Sequence, residues 1–225
     1  MKPTLKQVTF TGVDDYTNLS ELQKIQKDYP IAEFGVLVTA KWEQYQRCLN
    51  PKTIPSLGDY ELNLSCHLCG RVARAVLHND FNEAIELVKK FDVFKRCQLN
   101  IAKEETEDEL DIDVPETLDE LIIQQPSVDN CDLFYKIKNR NKMSVLIDGS
   151  GGEGIKTDLK TLKVDFKVGY AGGLNPDNIE ETLEKLFNDE NVGDFWVDME
   201  TGCRTDEKFD LGKVVKVLKR IERFL

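Results

Sequence analysis

The sequence predicts an α/β protein of the (β/α)8 TIM-barrel class, folded as one domain over residues 1–225. Three observations predict it. Apolar runs of strand length alternate with helical patterns from one end of the chain to the other. That alternation implies parallel strands joined by right-handed crossovers. The 225-residue length suits a compact example with short loops, since an eight-stranded barrel typically takes about 250 residues. The glycines cluster late, after the sixth, seventh and eighth strands, where barrels commonly build phosphate sites. An open doubly wound sheet is the competing architecture. It would place its ligand near a glycine-rich turn after the first strand, so the late glycines favour the barrel.

The elements follow in order. Val8–Thr11 reads as strand 1 and Asn18–Tyr29 as a helix with Leu22 and Ile25 inward. Ala32–Thr39 is strand 2, followed by a long connection with a short helix near Trp42–Leu49. Glu61–Leu68 is strand 3, and helical stretches cover Arg71–His78 and Asn82–Phe91. Arg96–Ile101 is strand 4. The acidic run from Glu104 to Asp113 reads as a solvated loop. Pro115–Glu120 offers a short helix, Leu121–Gln125 strand 5, and Cys131–Lys138 a helix capped by Asp129 or Asn130. Met143–Asp148 is strand 6 and Asp165–Ala171 strand 7. Asn175-Pro176 starts the next helix, because Asn caps and Pro suits the first turn. Phe195–Met199 is strand 8. The last helix, Leu211–Phe224, carries Leu211, Val214, Val215, Leu218 and Ile221 on one stripe.

Composition narrows the function classes. Net charge is −11, which argues against nucleic acid, because phosphate backbones need a basic surface. A small phosphorylated ligand fits, since converging backbone N–H groups bind anions whatever the net charge. No apolar run approaches the roughly 20 residues that span a bilayer, and Met1–Gln7 lacks a signal-peptide core. A soluble, cytoplasmic protein is expected, with no membrane partner, as a monomer or homodimer. The six cysteines (Cys48, Cys66, Cys69, Cys97, Cys131 and Cys203) are expected as reduced thiols, mostly small buried hydrophobes.

Strand alternation sorts side chains between helices and lumen. It turns Asn63, Ser65 and His67 inward on strand 3, and Gln98 and Asn100 on strand 4. It leaves Asp198 inward on strand 8, while Asp148 ends strand 6 and Thr9 and Thr11 share a face of strand 1. Glu33 is expected deep in the lumen, in a satisfied network with Asn63 and Ser65. Buried carboxylates need such partners. Asp148, Asp198 and His67 lie at the mouth and are candidates for function.

Cys66-His67-Leu68-Cys69 contains a C-x-x-C. Zinc would need two more ligands, and Cys97 is the one plausible addition. Two packing cysteines flanking a lumen histidine is the plainer reading. Arg71 and Arg74 begin the next helix, where they could meet an anion at the mouth or pair with surface carboxylates. His78 is expected exposed at its end.

Three turns carry the phosphate signal: Asp148-Gly149-Ser150-Gly151-Gly152-Glu153-Gly154, Ala171-Gly172-Gly173-Leu174-Asn175-Pro176-Asp177-Asn178, and Asp198-Met199-Glu200-Thr201-Gly202-Cys203-Arg204. Glycines let a backbone approach a phosphate closely. One such turn is weak evidence, and three on consecutive strands are stronger. In these motifs the chain resembles the phosphoribosylanthranilate isomerase family of tryptophan biosynthesis, most sharply from Leu146 to Arg204. The family has a strand ending in Asp before a Gly-Gly loop, a Gly-Gly-Leu-Asn-Pro-x-Asn-Val-like turn, and a Val-Asp-x-x-Ser-Gly-Val-like turn. Here these are Leu146–Asp148 with Gly151–Gly154, Gly172–Ile179, and Val197–Cys203. Cys97-Gln98-Leu99-Asn100 resembles the family's Gln-Leu-His, with Asn100 in the His place.

The resemblance implies an Amadori rearrangement of an aminoribose phosphate. Its acid, which protonates the ring oxygen, maps onto Asp148, and its phosphate site onto Gly172, Gly173, Thr201 and Gly202. Its base, which removes the C2 proton, is a Cys before a glycine at the end of strand 1. This chain has Phe10-Thr11-Gly12 there, and a threonine hydroxyl is too weak an acid to ionise near neutral pH. Asp198 and His67 are candidates for the role, as are Asp14 and Asp15. The family's Arg after strand 2 has no clear match among Ala40-Lys41-Trp42.

The sequence thus supports a phosphosugar isomerase working by acid–base chemistry on a small phosphorylated substrate, without cofactor or metal. Two other readings use the same scaffold: a non-catalytic barrel binding a phosphometabolite, and a different lyase, aldolase or epimerase. An aldolase forming a Schiff base would need a lumen lysine, for which Lys167 is the candidate.

Overall fold

Eight parallel strands close on themselves in chain order. The computed structural model describes residues 2–89, 91–101, 109–129, 132–150 and 159–225. The strands are β1 (Thr4–Thr11), β2 (Ala32–Val38), β3 (Leu64–Cys69), β4 (Arg96–Asn100), β5 (Glu120–Gln125), β6 (Met143–Asp148), β7 (Val168–Ala171) and β8 (Asp194–Met199). β1 pairs with β8 from Thr4 opposite Asp194 to Phe10 opposite Met199, which completes the barrel. The helices are α1 (Leu19–Asp28), α2 (Arg71–Leu77), α3 (Asn82–Val88), α4 (Asp132–Tyr135), α5 (Ile179–Asn188) and α6 (Leu211–Ile221). A two-stranded ribbon, β9 (Arg204–Thr205) with β10 (Lys208–Phe209), stands between β8 and α6. No helix among the described residues is long and apolar enough to cross a membrane.

Local chemistry explains most boundaries. Asn18 caps α1, its side chain accepting from the Ser20 and Glu21 amides, which satisfies donors the helix leaves open. Asp210 does the same for α6 through Lys213. The helix expected over Asn82–Phe91 stops at Val88, because Lys89 turns left-handed (φ 61°); Phe91–Val93 is a separate 3-10 turn. The region expected as a helix over Trp42–Leu49 forms only a 3-10 turn at Trp42–Gln44. No helix forms at Pro115–Glu120. There the Asp119 amide donates to Lys95 O at 2.8 Å, which draws the chain into the sheet. Residues 104–108, the Asn130 cap and Cys131 lie outside the described residues.

The main apolar core lies between sheet and helices, with Phe10, Phe34, Val36, Leu68, Leu99, Val145, Tyr170, Phe195 and Val197 facing Leu22, Val72, Val76, Leu183, Leu186, Val214 and Leu218. A second, small apolar cluster plugs the lumen: Ile122, Leu146 and Trp196, with Ala171 against it. Gly169 makes room for it. A Cβ there would stand 2.3 Å from the Trp196 ring.

Below the plug the lumen is ionic. Arg96 donates to Glu33 at 2.8 Å and to Glu120 at 2.5 Å, and its guanidinium lies 4.4 Å from the Trp196 ring centroid. Lys167 donates to Glu120 at 2.7 Å, and Thr9 to Glu33 at 2.9 Å. Burial pushes the Glu120 carboxyl up, but Arg96 and Lys167 more than offset it and hold it below its ordinary value. This network replaces the one expected for Glu33. Asn63 instead donates to Pro30 O and Ala32 O, and Ser65 meets His67. Strand parity gives the face a side chain takes, but Arg96 reaches Glu33 across β3 because its side chain is long. Lys167 therefore sits at the amino-terminal end of the barrel in an ion pair, away from the mouth where a Schiff base would be needed.

Candidate active site

The carboxyl-terminal mouth holds a cleft of about 490 Å³, open entrance included. Ten of the residues singled out in the sequence line it: Thr11, His67, Gln98, Asn100, Asp148, Gly172, Gly173, Asp198, Thr201 and Gly202. Arg71 does not. It heads α2 on the surface and pairs with Glu83 at 2.5 Å, so the strand-helix junction turns it away from the mouth. His78 is exposed at the α2 carboxyl end.

Asp148 ends β6 opposite Ala171 and is 5% exposed. Its Oδ2 accepts from Gln124 Nε2 at 2.8 Å, and its Oδ1 from the Ser150 amide at 3.0 Å and the Ser150 hydroxyl at 2.6 Å. The carboxyl is thus fixed in direction by β5 and by its own loop. Residues 151–158, with the Gly151-Gly152-Glu153-Gly154 stretch, lie outside the described residues.

The glycine turn after β7 is built to bend. Gly172 and Gly173 adopt φ of 115° and 67°, which L residues rarely take. The following asparagines hold it. Asn175 and Asn178 both donate to Gly173 O, at 3.1 and 2.9 Å, and Asn178 Oδ1 accepts from the Asn175 amide at 2.9 Å. The Asn-Pro-Asp-Asn segment is therefore a brace for the turn, and α5 begins only at Ile179, not at Asn175-Pro176. The turn after β8 presses against this one: a Cβ on Gly202 would fall 1.9 Å from Leu174 O. The two turns form one wall of the cleft.

Opposite them, Gly35 on β2 lets Thr11 and His67 approach. A Cβ at Gly35 would stand 2.6 Å from Thr11 Oγ1 and 2.9 Å from His67 Nε2. Thr11 Oγ1 donates to Asp198 Oδ1 at 2.7 Å. Burial pushes the Asp198 carboxyl up to about 8, against the opposing Thr11 hydrogen bond, with Glu33, Glu200 and Asp148 adding repulsion. Burial, and then Arg96, pushes the His67 imidazole down to about 3. Its Nε2 meets Ser65 Oγ at 3.0 Å, while Nδ1 stands 4.0 Å from Asp198 Oδ2, beyond hydrogen-bond reach. At neutral pH this centre holds a protonated Asp198 and a neutral His67. Gln98 Nε2 donates to Asn100 Oδ1 at 2.9 Å, and Asn100 Nδ2 to Cys69 Sγ at 3.3 Å. Among the described residues the buried Gln98 Oε1 finds no donor.

Two expectations for the base do not survive. Asp14 is buried against Arg204 at 2.9 Å and accepts from the Phe209 amide at 2.8 Å, which pins the loop after β1 to the β9–β10 ribbon. Asp15 is exposed and accepts from the Asn50 amide. Neither lines the cleft. The cysteine pattern is structural: Cys66 and Cys97 are fully buried in register on adjacent strands. Among the described residues no group of histidines, cysteines and carboxylates is placed to hold a metal.

Sequence reasoning missed Glu200 and Arg47. Glu200 lines the cleft after β8, and Arg47 Nη1 reaches it at 2.7 Å from the long connection after β2. Arg47 lies five residues beyond Trp42, in an irregular connection with no local pattern, and Glu200 sits in a turn whose sequence signal is its glycine.

Similarity to known proteins agrees with this picture. Residues 103–220, just over half of the chain, match the family model described as N-(5'phosphoribosyl)anthranilate (PRA) isomerase. No curated protein matches the sequence. Among solved structures, N-(5'-phosphoribosyl)anthranilate isomerase from Pyrococcus furiosus is 16% identical, with a TM-score of 0.55 over 96% of this chain and 98% of that one. Phosphoribosyl anthranilate isomerase from Thermococcus kodakaraensis is 14% identical, with a TM-score of 0.58 over 97% and 99%. At that identity the two structures speak for the fold. With the family match, the (β/α)8 barrel and the conjunction of Asp148 with the two glycine turns, the chain belongs to the N-(5'-phosphoribosyl)anthranilate isomerase family.

Proposed function

We propose that the chain isomerises N-(5'-phosphoribosyl)anthranilate, or an aminoribose phosphate close to it, at this mouth. The observation that carries the reading is the shared cleft of Asp148 and the Gly172-Gly173 and Thr201-Gly202 turns. A phosphate seats between the turns, where glycine permits close backbone approach. The sugar then runs across the lumen toward Asp148, which gives a proton to the ring oxygen as the C1–O bond breaks and the nitrogen lone pair forms C1=N. Protonated Asp198 donates to a substrate oxygen, and Gln98 Oε1 accepts from a hydroxyl. Acid–base groups of this kind contribute about 10²- to 10⁴-fold each when positioned.

The test is a crystal soak with the product reduced at its carbonyl, which is inert. Phosphate density between the two turns, with the sugar chain directed at Asp148, is expected. Density at another site, or none at saturating ligand, overturns the reading. The non-catalytic alternative draws on Thr11, whose hydroxyl is spent on Asp198 and cannot act as a base. It predicts the same density without turnover.

A further inference from the structure

Resting on that reading, the mouth still needs a group to remove the C2 proton. The residues first considered for it are occupied otherwise. Thr11 is turned into the lumen toward Asp198. Asp198 keeps its proton through neutral pH, and His67 is too weak a base there. Asp14 and Asp15 lie outside the cleft.

Glu200 has the geometry they lack. It follows β8 by one residue and lines the cleft, and its side chain is 22% exposed. That side chain arches over the end of β1: its Cγ lies 3.8 Å from the point a Cβ on Gly12 would occupy. It therefore stands beside the Thr11-Gly12 step. Arg47 holds one carboxylate oxygen, Oε1, at 2.7 Å, which fixes the group's direction, and among the described residues no hydrogen bond closes its second oxygen. The charged and titratable groups around it are Arg47, Arg204, Cys48, Cys69, Asp148, Asp198 and Cys203. Burial raises its proton affinity, and Arg47 and then Arg204 draw it back. The net effect holds its carboxyl above the ordinary glutamate value, which makes the carboxylate a better base than a solvated one.

We infer that Glu200 is the catalytic base of this chain, taking the C2 proton of the ring-opened intermediate. Once C1=N has formed, the Glu200 carboxylate accepts the C2 proton. The C2–H electron pair becomes C1=C2, and the C1=N π pair returns to nitrogen. As C2=O forms, the C2 hydroxyl releases its proton, which returns the Asp148 carboxylate to its acid form, and C1 takes a proton back from Glu200. C2 is oxidised, C1 is reduced, and no outside oxidant or reductant enters. Arg47 is a positioning residue that aims the carboxylate and opposes the rise that burial imposes on it.

The experiment compares the full-length wild type, Glu200→Gln and Glu200→Asp for turnover of phosphoribosylanthranilate across pH 5–9, with reduced product as a binding control. Glu200→Gln is expected to lower kcat by about 10²- to 10⁴-fold while still binding reduced product. Glu200→Asp should recover part of the loss, and the acidic limb of the wild-type kcat/KM profile should vanish in Glu200→Gln. Wild-type turnover with Glu200→Gln within about threefold of it, limb unchanged, overturns the base assignment and leaves the isomerase reading standing. No turnover by the wild type overturns both. If Glu200→Gln fails to fold, Glu200→Asp decides: it must fold, and full activity with an unmoved acidic limb contradicts the assignment.

Discussion

Thr11 and Asp198 share a 2.7 Å hydrogen bond across the seam where β1 meets β8. The hydroxyl donates, and it is too weak an acid to ionise near neutral pH and take a carbon-bound proton. The bond also tunes Asp198, because donation favours the ionised carboxylate. Without it, burial alone would push the carboxyl still higher than about 8. Thr11→Val is expected to raise the Asp198 titration midpoint, read by carbon NMR of the side-chain carboxyl. An unmoved midpoint contradicts the coupling.

Stability should fall between pH 6.5 and 8, and Asp198 should be the cause. Its folded value is raised from 3.8 to about 8, so in that window the folded state binds the extra proton. Unfolding free energy then decreases as pH rises. His67, lowered from 6.5 to about 3, acts with the opposite sign and between those values, losing stability as pH falls. Above pH 6.5 only the Asp198 effect remains of the two. Urea denaturation at pH 6.5 and 8.5 should show a loss in the wild type that Asp198→Asn largely removes.

The ionic floor of the lumen makes a sharper stability prediction. Arg96 bridges Glu33 and Glu120 with a side chain only 4% exposed. Arg96→Met leaves Glu33 buried without its guanidinium partner, with Thr9 the one remaining hydrogen-bond donor among the described residues, and should cost about 3–5 kcal/mol. Adding Glu33→Leu should restore a large part of that. Denaturant midpoints for the single and double variants check it; equal losses would mean that the two side chains do not act as a pair.

Gly202→Ala tests the contact between the two turns. Its Cβ would collide with Leu174 O at 1.9 Å, a backbone atom that cannot swing aside. Phosphate affinity measured by calorimetry should drop at least tenfold. Gly193→Ala is the control, since nothing lies within 4 Å of a Cβ there, and it should bind phosphate as the wild type does.

Much of this was legible in the sequence, for physical reasons. Alternating strand and helix patterns imply parallel pairing, and period-two alternation turned Glu33, His67, Gln98, Asn100 and Asp198 into the lumen. What stayed hidden depends on side-chain reach and on long loops. Arg96 spans the lumen to Glu33, a distance that no local pattern encodes. Arg47 arrives from a connection of irregular structure. Glu200 looks like an ordinary loop carboxylate until the fold carries it over Gly12. Arg71 misled because a helix start near the mouth does not fix where a long side chain points; it found Glu83.

The central claim is chemistry at Asp148, and one measurement addresses it directly. Purified wild type and Asp148→Asn are incubated with phosphoribosylanthranilate at pH 7, and product is quantified against the uncatalysed rate. The structure predicts product from the wild type and a loss of about 10²- to 10⁴-fold in Asp148→Asn, with binding of reduced product retained. Equal turnover by the two proteins, or none by the wild type at saturating substrate, would contradict it.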